Sequence, residues 1–189
     1  MNVAELAVVT HELLRDRGID HAFGGALALN LYADPRATLD VDVNVFAPWD
    51  GRTTVIPMFE AIGYRPEESA GDAPPVAGIR LIDPASPVLL DVFFALDDHY
   101  ERIRERLVWF PFGPQGEELP FLSAEDIALF KLSFNRDKDW VDIRRMIQAG
   151  PALDADYIEE MLVALRGPSM FPRVTRLRAM VKAGGAELR

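Results

Sequence analysis

The feature that most constrains the fold is the stretch from Thr38 to Phe46, where polar and apolar residues alternate as far as Val45. The apolar members share one face of an extended chain: Val41, Val43 and Val45. The polar members share the other face: Asp40, Asp42 and Asn44. A period of two over this length predicts a half-buried strand. Residues two apart lie about 6 to 7 Å from each other along a strand, so the pattern predicts two carboxylates that project together.

Composition limits the class of protein. The chain has 189 residues, of which 49% are hydrophobic and 26% are charged, values that fit a globular protein and exclude a disordered one. The absence of cysteine excludes a disulfide framework, a thiolate zinc site and a cysteine nucleophile. A net charge of −10 argues against a broad nucleic-acid-binding surface. The sequence shows neither a signal-peptide pattern nor a long uncharged apolar run, so we expect a cytoplasmic protein without a membrane partner.

Hydrophobic periodicity and turn residues divide the chain into elements. Strands are predicted over residues 19–23, 38–46, 76–82 and 88–94, with short extended pieces at 108–112 and 119–121. Helices are predicted over residues 4–17, 26–32, 52–62, 97–107, 137–148, 154–165 and 168–182, and another runs from the N-cap Ser123 to Phe134. Residues 66–75 are predicted to form a loop. Strands mixed with helices, then helices alone, predict an α+β fold. We expect a core over residues 1–150 and a helical C-terminal extension over residues 151–189 packed on it.

Asp91 stands in the apolar run of residues 88–94, where an ionised carboxylate has no evident reason to lie. Burying such a charge without a partner is costly. If its strand lies beside that of Asp40 and Asp42, three acids converge, and like charges oppose one another's ionisation unless a cation intervenes. Hard oxygen donors of this kind suit Mg²⁺ or Mn²⁺. We therefore predict a divalent metal site at Asp40, Asp42 and Asp91.

Gly24 and Gly25 stand where the first predicted strand meets the second predicted helix. Because glycine lacks a Cβ atom, backbone N–H groups at such a turn can approach a phosphate closely. Tight turns also use glycine, so the pair alone has an ordinary structural explanation. Together with three acids that bind a metal, it describes a site for a nucleotide and its divalent ion.

In this order, these residues resemble the DNA polymerase beta-like nucleotidyltransferase superfamily. The matching segments are Phe23-Gly24-Gly25-Ala26-Leu27-Ala28, Asp34-Pro35-Arg36-Ala37-Thr38-Leu39-Asp40-Val41-Asp42-Val43 and Leu90-Asp91-Val92. With Lys131-Leu132, Arg136-Asp137-Lys138-Asp139 and Asp142, the chain is similar to the minimal branch that includes abortive-infection and toxin–antitoxin nucleotidyltransferases. The resemblance covers residues 19–148 and implies a nucleotidyltransferase fold, with a mixed sheet flanked by helices.

The resemblance implies transfer of a nucleoside monophosphate from an NTP to a hydroxyl of RNA, protein or a small molecule, with release of pyrophosphate. It implies that Asp40 and Asp42 ligate both catalytic metals, Mg²⁺ or Mn²⁺. It implies that Asp91 binds the metal that activates the acceptor and takes the acceptor's proton. Gly24 and Gly25 are implied to hold the triphosphate, and an antitoxin is an implied partner.

Two basic residues are further candidates for nucleotide binding. Lys131 lies on the side of its predicted helix away from the apolar stripe, where it either reaches a phosphate or is an ordinary surface lysine. Arg36 either contacts phosphate or fixes the loop that leads into the strand of Asp40. A second polar cluster near the nucleotide is predicted from Asp137, Lys138, Asp139 and Asp142, although acids in the first turn of a helix explain two of these residues without any function.

The remaining polar and aromatic residues give weaker signals. His11, His21 and His99 are scattered without the spacing of metal ligands, so no zinc site is predicted. The tryptophans are assigned to packing rather than to base stacking: Trp49, Trp109 and Trp140. From Arg166 onward six basic residues stand against one acidic residue, and this tail either contacts a polyanion or an acidic partner, or is a solvated helix face.

Three other functions stay open. An antibiotic adenylyltransferase-like enzyme would use the same acids and add a pocket for a polyol or sugar beside Asp91. A non-catalytic member of the fold would bind a nucleotide or a partner protein. A metal-dependent phosphohydrolase would use similar carboxylates with water as the acceptor, and it would not need the glycine turn.

Overall fold

The computed structural model describes residues 1–67, 78–95, 99–113, 115–150 and 152–184. The chain forms two compact units. The first unit comprises Met1–Leu27 and Ala37–Leu122, and the second comprises Ala28–Arg36 and Ser123–Arg189. The predicted division at residue 150 stays a prediction.

The first unit is built on a mixed sheet that has seven strands in the part of the chain described. In chain order the strands are β1 His21–Phe23, β2 Asp40–Val45, β3 Arg65–Pro66, β4 Ile79–Ile82, β5 Leu89–Phe94, β6 Val108–Phe112 and β7 Glu117–Phe121. Their order across the sheet is β3-β4-β5-β2-β1-β7-β6. β2 is parallel to β5 and β1 is parallel to β7, whereas the other neighbours are antiparallel. The central strands β5, β2 and β1 thus lie side by side.

Helices accompany this sheet in the first unit. They are α1 Val3–Arg15, the beginning of α2 Gly25–Leu29, α3 Arg52–Glu60 and α4 His99–Arg104, with a 3₁₀ turn at Trp49–Gly51. α1 begins with a capping box, in which the side chain of Asn2 accepts a hydrogen bond from the Glu5 amide and the Glu5 side chain accepts one from the Asn2 amide. Its buried stripe, which includes Leu6 and Leu14, packs against β1, β2 and β7.

The alternation in β2 separates the two faces of the sheet as predicted. Val41, Val43 and Val45 are completely buried, whereas Asp40 and Asp42 keep partial exposure. Burial of each valine side chain contributes about 1.5 to 3 kcal/mol, so a register slip that moved the valines to the polar face would be strongly unfavourable. This hydrophobic requirement fixes the direction in which the two aspartates point.

The second unit is helical. Besides the end of α2, it contains α5 Ala124–Phe134, α6 Asp137–Ala149, α7 Ala155–Arg166 and α8 Phe171–Gly184, the last preceded by a 3₁₀ turn at Pro168–Met170. α5 packs against α6 and α7, and α8 packs against the same two helices. Ser123 caps α5 by accepting a hydrogen bond from the Asp126 amide, as the sequence predicts.

The predicted α+β fold is confirmed, while several element boundaries differ. The helix predicted over residues 26–32 begins at Gly25 and ends at Leu29, because Leu31 and Tyr32 donate to carbonyls only three residues back and tighten the chain into turns. The two-residue strand β3 was not predicted and includes Pro66, which the sequence assigns to a loop. Arg65 and Pro66 pair with Ile82 and Leu81, and two residues are too few to show a period.

Some predictions fall outside the described residues. These are most of the loop predicted over 66–75, the beginning of the strand predicted from residue 76, the beginning of the helix predicted from residue 97, and the last two charged residues of the basic tail. Among the residues that are described, no helix combines the length and apolar character needed to cross a bilayer.

Candidate active site

The register of β2 and β5 places the predicted acids on one face of the sheet. Asp42 is the Cα partner of Asp91, and Asp40 is the partner of Leu89. Residues opposite each other on neighbouring strands project from the same face, and so do residues two apart on one strand. Asp40, Asp42 and Asp91 therefore share the polar face, opposite the valines of β2.

Asp91 is only 8% exposed and is held by Arg80 from the neighbouring strand β4. Arg80 Nε donates to Asp91 Oδ1 and Nη2 donates to Oδ2, each over 2.8 Å. These hydrogen bonds and the attraction of the carboxylate raise the pKa of Arg80 above its ordinary value. The Arg80 side chain is nevertheless 45% exposed. A bidentate pair of two parallel hydrogen bonds is the strongest form of ion pair between a guanidinium and a carboxylate. It explains why a charged residue, Asp91, can stand in an apolar strand.

The glycine turn lies directly against the paired acids. After β1 ends at Phe23, the Gly24 amide donates to the carbonyl of Asp42 over 2.9 Å. A Cβ atom on Gly25 would stand 1.7 Å from Asp42 Oδ2, and Gly25 has a φ of +54°. The left-handed conformation disfavours any other residue, and the close approach leaves no room for one. The glycine backbone, which has no side chain here, thus lies next to the Asp42 carboxylate.

The donors fit a divalent cation, although they are not gathered around one point. Within the described ranges, no three His, Cys, Asp or Glu side chains stand close enough together to hold a metal ion. The expected three-carboxylate cluster is therefore not formed here, and Arg80 supplies the positive charge beside Asp91 instead. Carboxylate oxygens on one face of adjacent strands are nonetheless the ligands that Mg²⁺ and Mn²⁺ prefer.

The second unit brings together Lys131, Asp142 and Arg36. Lys131 is buried, and its Nζ atom donates to Asp142 Oδ2 over 2.7 Å and lies 4.0 Å from Asp139 Oδ1. Arg36 Nη2 donates to the same Asp142 oxygen over 3.3 Å. Burial by itself would raise the pKa of Asp142, but the hydrogen bonds and charges of Lys131 and Arg36 outweigh it and lower that pKa. The alternative of an ordinary surface lysine at position 131 is wrong, because Lys131 is buried. The Asp142 carboxylate neutralises its buried charge.

Arg36 is also fixed through its backbone. The side-chain amide of Asn30 accepts a hydrogen bond from the Arg36 amide and donates one to the Arg36 carbonyl, each over 3.0 Å. The residue therefore has the loop-fixing contacts that one of the two sequence interpretations expected. A phosphate contact by Arg36 or by Lys131 stays a prediction.

Two polar contacts in the first unit were not predicted from the sequence. Arg80 was not singled out, although a lone arginine between Ile79 and Leu81 in a predicted strand is the signal that would have identified it. His11 and His21 were judged to be scattered, yet His11 Nδ1 lies 2.9 Å from His21 Nε2. The packing of α1 on β1 brings together these two histidines, which stand ten residues apart in the chain.

A mixed sheet that carries a glycine turn beside paired aspartates identifies the class as the nucleotidyltransferase fold. Residues 13–180 match the family described as "Nucleotidyl transferase AbiEii toxin, Type IV TA system". The chain belongs to this family, and the resemblance stated from the sequence motifs is confirmed. A comparison with curated protein sequences gives no significant match.

Solved structures share the fold at low sequence identity. The solution structure of the antibiotic-resistance factor ANT(2'')-Ia is 18% identical, covering 93% of this chain and 96% of that chain with a TM-score of 0.61. The lincomycin-bound lincosamide antibiotic adenylyltransferase LnuA is 16% identical, covering 77% of this chain and 98% of that chain with a TM-score of 0.56. An antigenic nucleotidyltransferase-like protein from Paracoccidioides brasiliensis is 18% identical, covering 98% and 93% with a TM-score of 0.55. These similarities establish the fold.

Proposed function

We propose that the chain is a Mg²⁺-dependent nucleotidyltransferase that moves a nucleoside monophosphate from an NTP to a hydroxyl acceptor and releases pyrophosphate. Membership of a nucleotidyl transferase family supports the reaction class. The observation that carries the finer proposal is the register of β2 and β5, which sets Asp42 opposite Asp91. The hydrogen bond from the Gly24 amide to the Asp42 carbonyl adds the glycine turn to the same place.

Each residue has a defined task in this proposal. Asp40, Asp42 and Asp91 would hold the divalent ion, which when bound offsets phosphate charge and polarises the α-phosphate. The turn at Gly24 and Gly25 would receive the triphosphate with its backbone N–H groups. A side chain at position 25 would collide with the Asp42 carboxylate, which supports a role for glycine there.

The reaction balances with one bond formed and one broken. The acceptor oxygen forms a bond to the α-phosphorus, the bond from that phosphorus to the oxygen bridging the β-phosphate breaks, and pyrophosphate leaves with the electron pair. The proton of the acceptor hydroxyl passes to a carboxylate oxygen of Asp91. Each Asp91 oxygen already accepts one hydrogen bond from Arg80, so the proton would go to a remaining lone pair of one of these oxygens.

The direct test is incubation of the full chain with each α-labelled NTP, Mg²⁺ and three acceptor classes: total RNA, the protein itself with its cellular partners, and small polyols including an aminoglycoside and a lincosamide. We expect labelled acceptor and free pyrophosphate. Asp42→Asn should lower the rate by more than about 100-fold. Mutating a residue that only hydrogen-bonds to a metal ligand already lowers metal affinity or activity by about 10- to 100-fold.

The matched control is Asp50→Asn, which makes the same chemical change at a side chain that is 98% exposed. Full activity in Asp40→Asn and Asp42→Asn would contradict the proposal. Transfer to water alone would identify a phosphohydrolase instead. Transfer only to the small polyols would identify an antibiotic adenylyltransferase-like enzyme, and binding of NTP without any product would identify a non-catalytic member.

A further inference from the structure

A second polar feature of the first unit lies away from the three aspartates. His21 of β1 is the Cα partner of Val45, so its ring projects from the face that carries the β2 valines. The aspartates project from the opposite face. Along β1, moreover, His21 stands at the end opposite to Gly24. The histidine pair therefore belongs to a different location from the candidate active site.

The hydrogen bonds of the pair determine which nitrogen carries each proton. The carbonyl of Ile19 can only accept, so His21 Nδ1, at 2.9 Å, must donate to it. In a neutral ring, His21 Nε2 is then an acceptor, and His11 Nδ1 donates to it over 2.9 Å. The remaining nitrogen, His11 Nε2, is left with a lone pair. Among the described residues none donates to it.

Burial keeps both rings neutral, so this arrangement persists at pH 7. Burial lowers the pKa of His21 to about 4. Burial, followed by the nearby charge of Arg15, also lowers the pKa of His11, and the carboxylates of Glu12 and Asp16 only partly oppose this. His11 Nε2 thus remains a hydrogen-bond acceptor of fixed orientation under ordinary conditions.

This acceptor borders an open cavity of about 440 Å³. His11 and His21 are among its lining residues, and Nε2 is the ring nitrogen of His11 that has no hydrogen-bond partner among the described residues. Trp109 of β6 also lines it, with 56% of its surface exposed and its ring in edge contact with His11. The cavity thus joins an unused acceptor to an exposed aromatic ring.

The charges around the cavity favour a cation. Arg15 is paired with Asp16 at 2.9 Å, and Arg104 is paired with Asp20 at 2.7 Å, so both lining arginines have an acidic partner. The carboxylate of Glu105 also lines the cavity, and it forms no ion pair or hydrogen bond with any residue in the described segments. An acceptor, an aromatic ring and an uncompensated negative charge are therefore the groups that remain available.

We propose that this cavity binds a small organic cation that carries N–H donors on a flat apolar body, such as an amidinium or guanidinium compound. Its N–H group donates to His11 Nε2, its flat body covers the Trp109 ring, and Glu105 supplies the opposite charge. Planar cations are attracted to the face of a tryptophan ring as well as to carboxylates. This binding does not depend on nucleotidyl transfer, because none of the three residues belongs to the candidate active site.

Benzamidinium and benzamide form a matched pair of probes, since they have nearly the same shape and differ in charge and in N–H donors. We would titrate each into the ¹⁵N-labelled full chain and follow the amide resonances. Benzamidinium should bind saturably, with shifts centred on residues 104–109 and the end of α1, and benzamide at least about tenfold more weakly, as expected for loss of one charge-assisted contact.

His11→Phe keeps a ring and removes the acceptor, whereas Glu105→Gln changes only an exposed side chain and leaves folding intact. Each should weaken benzamidinium binding by about tenfold. Glu118→Gln, at an exposed position of β7, is the matched control and should leave it unchanged. Absence of saturable binding, equal binding of the two probes, or unchanged affinity in Glu105→Gln would each overturn the proposal. If His11→Phe does not fold, Glu105→Gln and the probe pair still decide it.

Discussion

Asp91 and Asp142 are both buried carboxylates neutralised by basic side chains, but their partners differ in exposure. Arg80, which holds Asp91, has a side chain that is 45% exposed, whereas that of Lys131, which holds Asp142, is 10% exposed. A half-exposed partner can move into water and give way to another cation. Removing a buried partner instead leaves an uncompensated charge in the interior. The comparison indicates that Arg80 can be replaced by another cation at Asp91, whereas the pair of Lys131 and Asp142 is needed for the stability of the fold.

The largest effect expected from this comparison is the loss of stability in Lys131→Met. Methionine has a similar length but leaves Asp142 with Arg36 as its remaining cation, at the longer distance of 3.3 Å. Removing one partner of a buried ion pair lowers the free energy of unfolding by about 3 to 5 kcal/mol. Urea unfolding measures the change. The control is Lys138→Met, at an exposed position of α6, which should change the free energy of unfolding by less than about 0.5 kcal/mol.

Arg80→Met should cost less, about 1 to 2 kcal/mol, a value between those of exposed and fully buried pairs. If Arg80 occupies the place of a cation, the same variant should bind Mn²⁺ more tightly. The rise in melting temperature on addition of MnCl₂ should then be larger in Arg80→Met than in the original protein. Arg65→Met, an exposed arginine on β3, provides the comparison. An equal or smaller Mn²⁺ effect in Arg80→Met would break the distinction between the two pairs.

The pH dependence of stability should show the contribution of Asp142. Because its pKa is lowered in the folded protein, the unfolded chain takes up its proton first as the pH falls. The contribution to stability is therefore fully present above the ordinary value of 3.8 and is lost as the pH falls through the lower pKa of the folded state. The difference in unfolding free energy between the original protein and Asp142→Asn should be constant from pH 7 to pH 5 and shrink below pH 3.8. A difference that grows on acidification would contradict this assignment.

The smallest expected effect is that of salt. Salt screens mainly the charges that are exposed to solvent. The loss of unfolding free energy in Arg80→Met should therefore be smaller at 0.5 M NaCl than at 0.05 M NaCl, by a few tenths of a kcal/mol. This is about the total contribution of a weak surface ion pair to stability. The loss in Lys131→Met should stay the same within error. Chemical denaturation with urea at both salt concentrations measures the two differences. Equal salt sensitivity would mean that the two pairs are solvated alike.

Local pattern was enough to predict how part of the candidate site is arranged. The strict period of two in β2 decided which side chains face the core, and therefore that Asp40 and Asp42 project together. Asp91 was identified from its conflict with an apolar strand. The polar group that resolves this conflict, Arg80, was not identified, because its part in the site depends on the register of β4 with β5, which sets Arg80 opposite Asp91.

Long-range contacts account for the other misses. His11 and His21 were separated by the sequence and joined by the packing of α1 on the sheet. Lys131 looked like either a surface lysine or a phosphate ligand, and its burial against Asp142 of the next helix decided against the first. The end of α2 is an exception with a local cause, because hydrogen bonds to carbonyls three residues back replace the helical ones after Leu29.

The sequence by itself determined the α+β class, the faces of β2 and the family, because periodicity and a motif of consecutive residues are local properties. The tertiary structure alone decided which cation neutralises each buried acid, that Asp42 stands opposite Asp91, and which histidine nitrogen is left as an acceptor. Those outcomes depend on strand register and helix packing. Both are set by the summed burial of many distant side chains rather than by any residue's immediate neighbours.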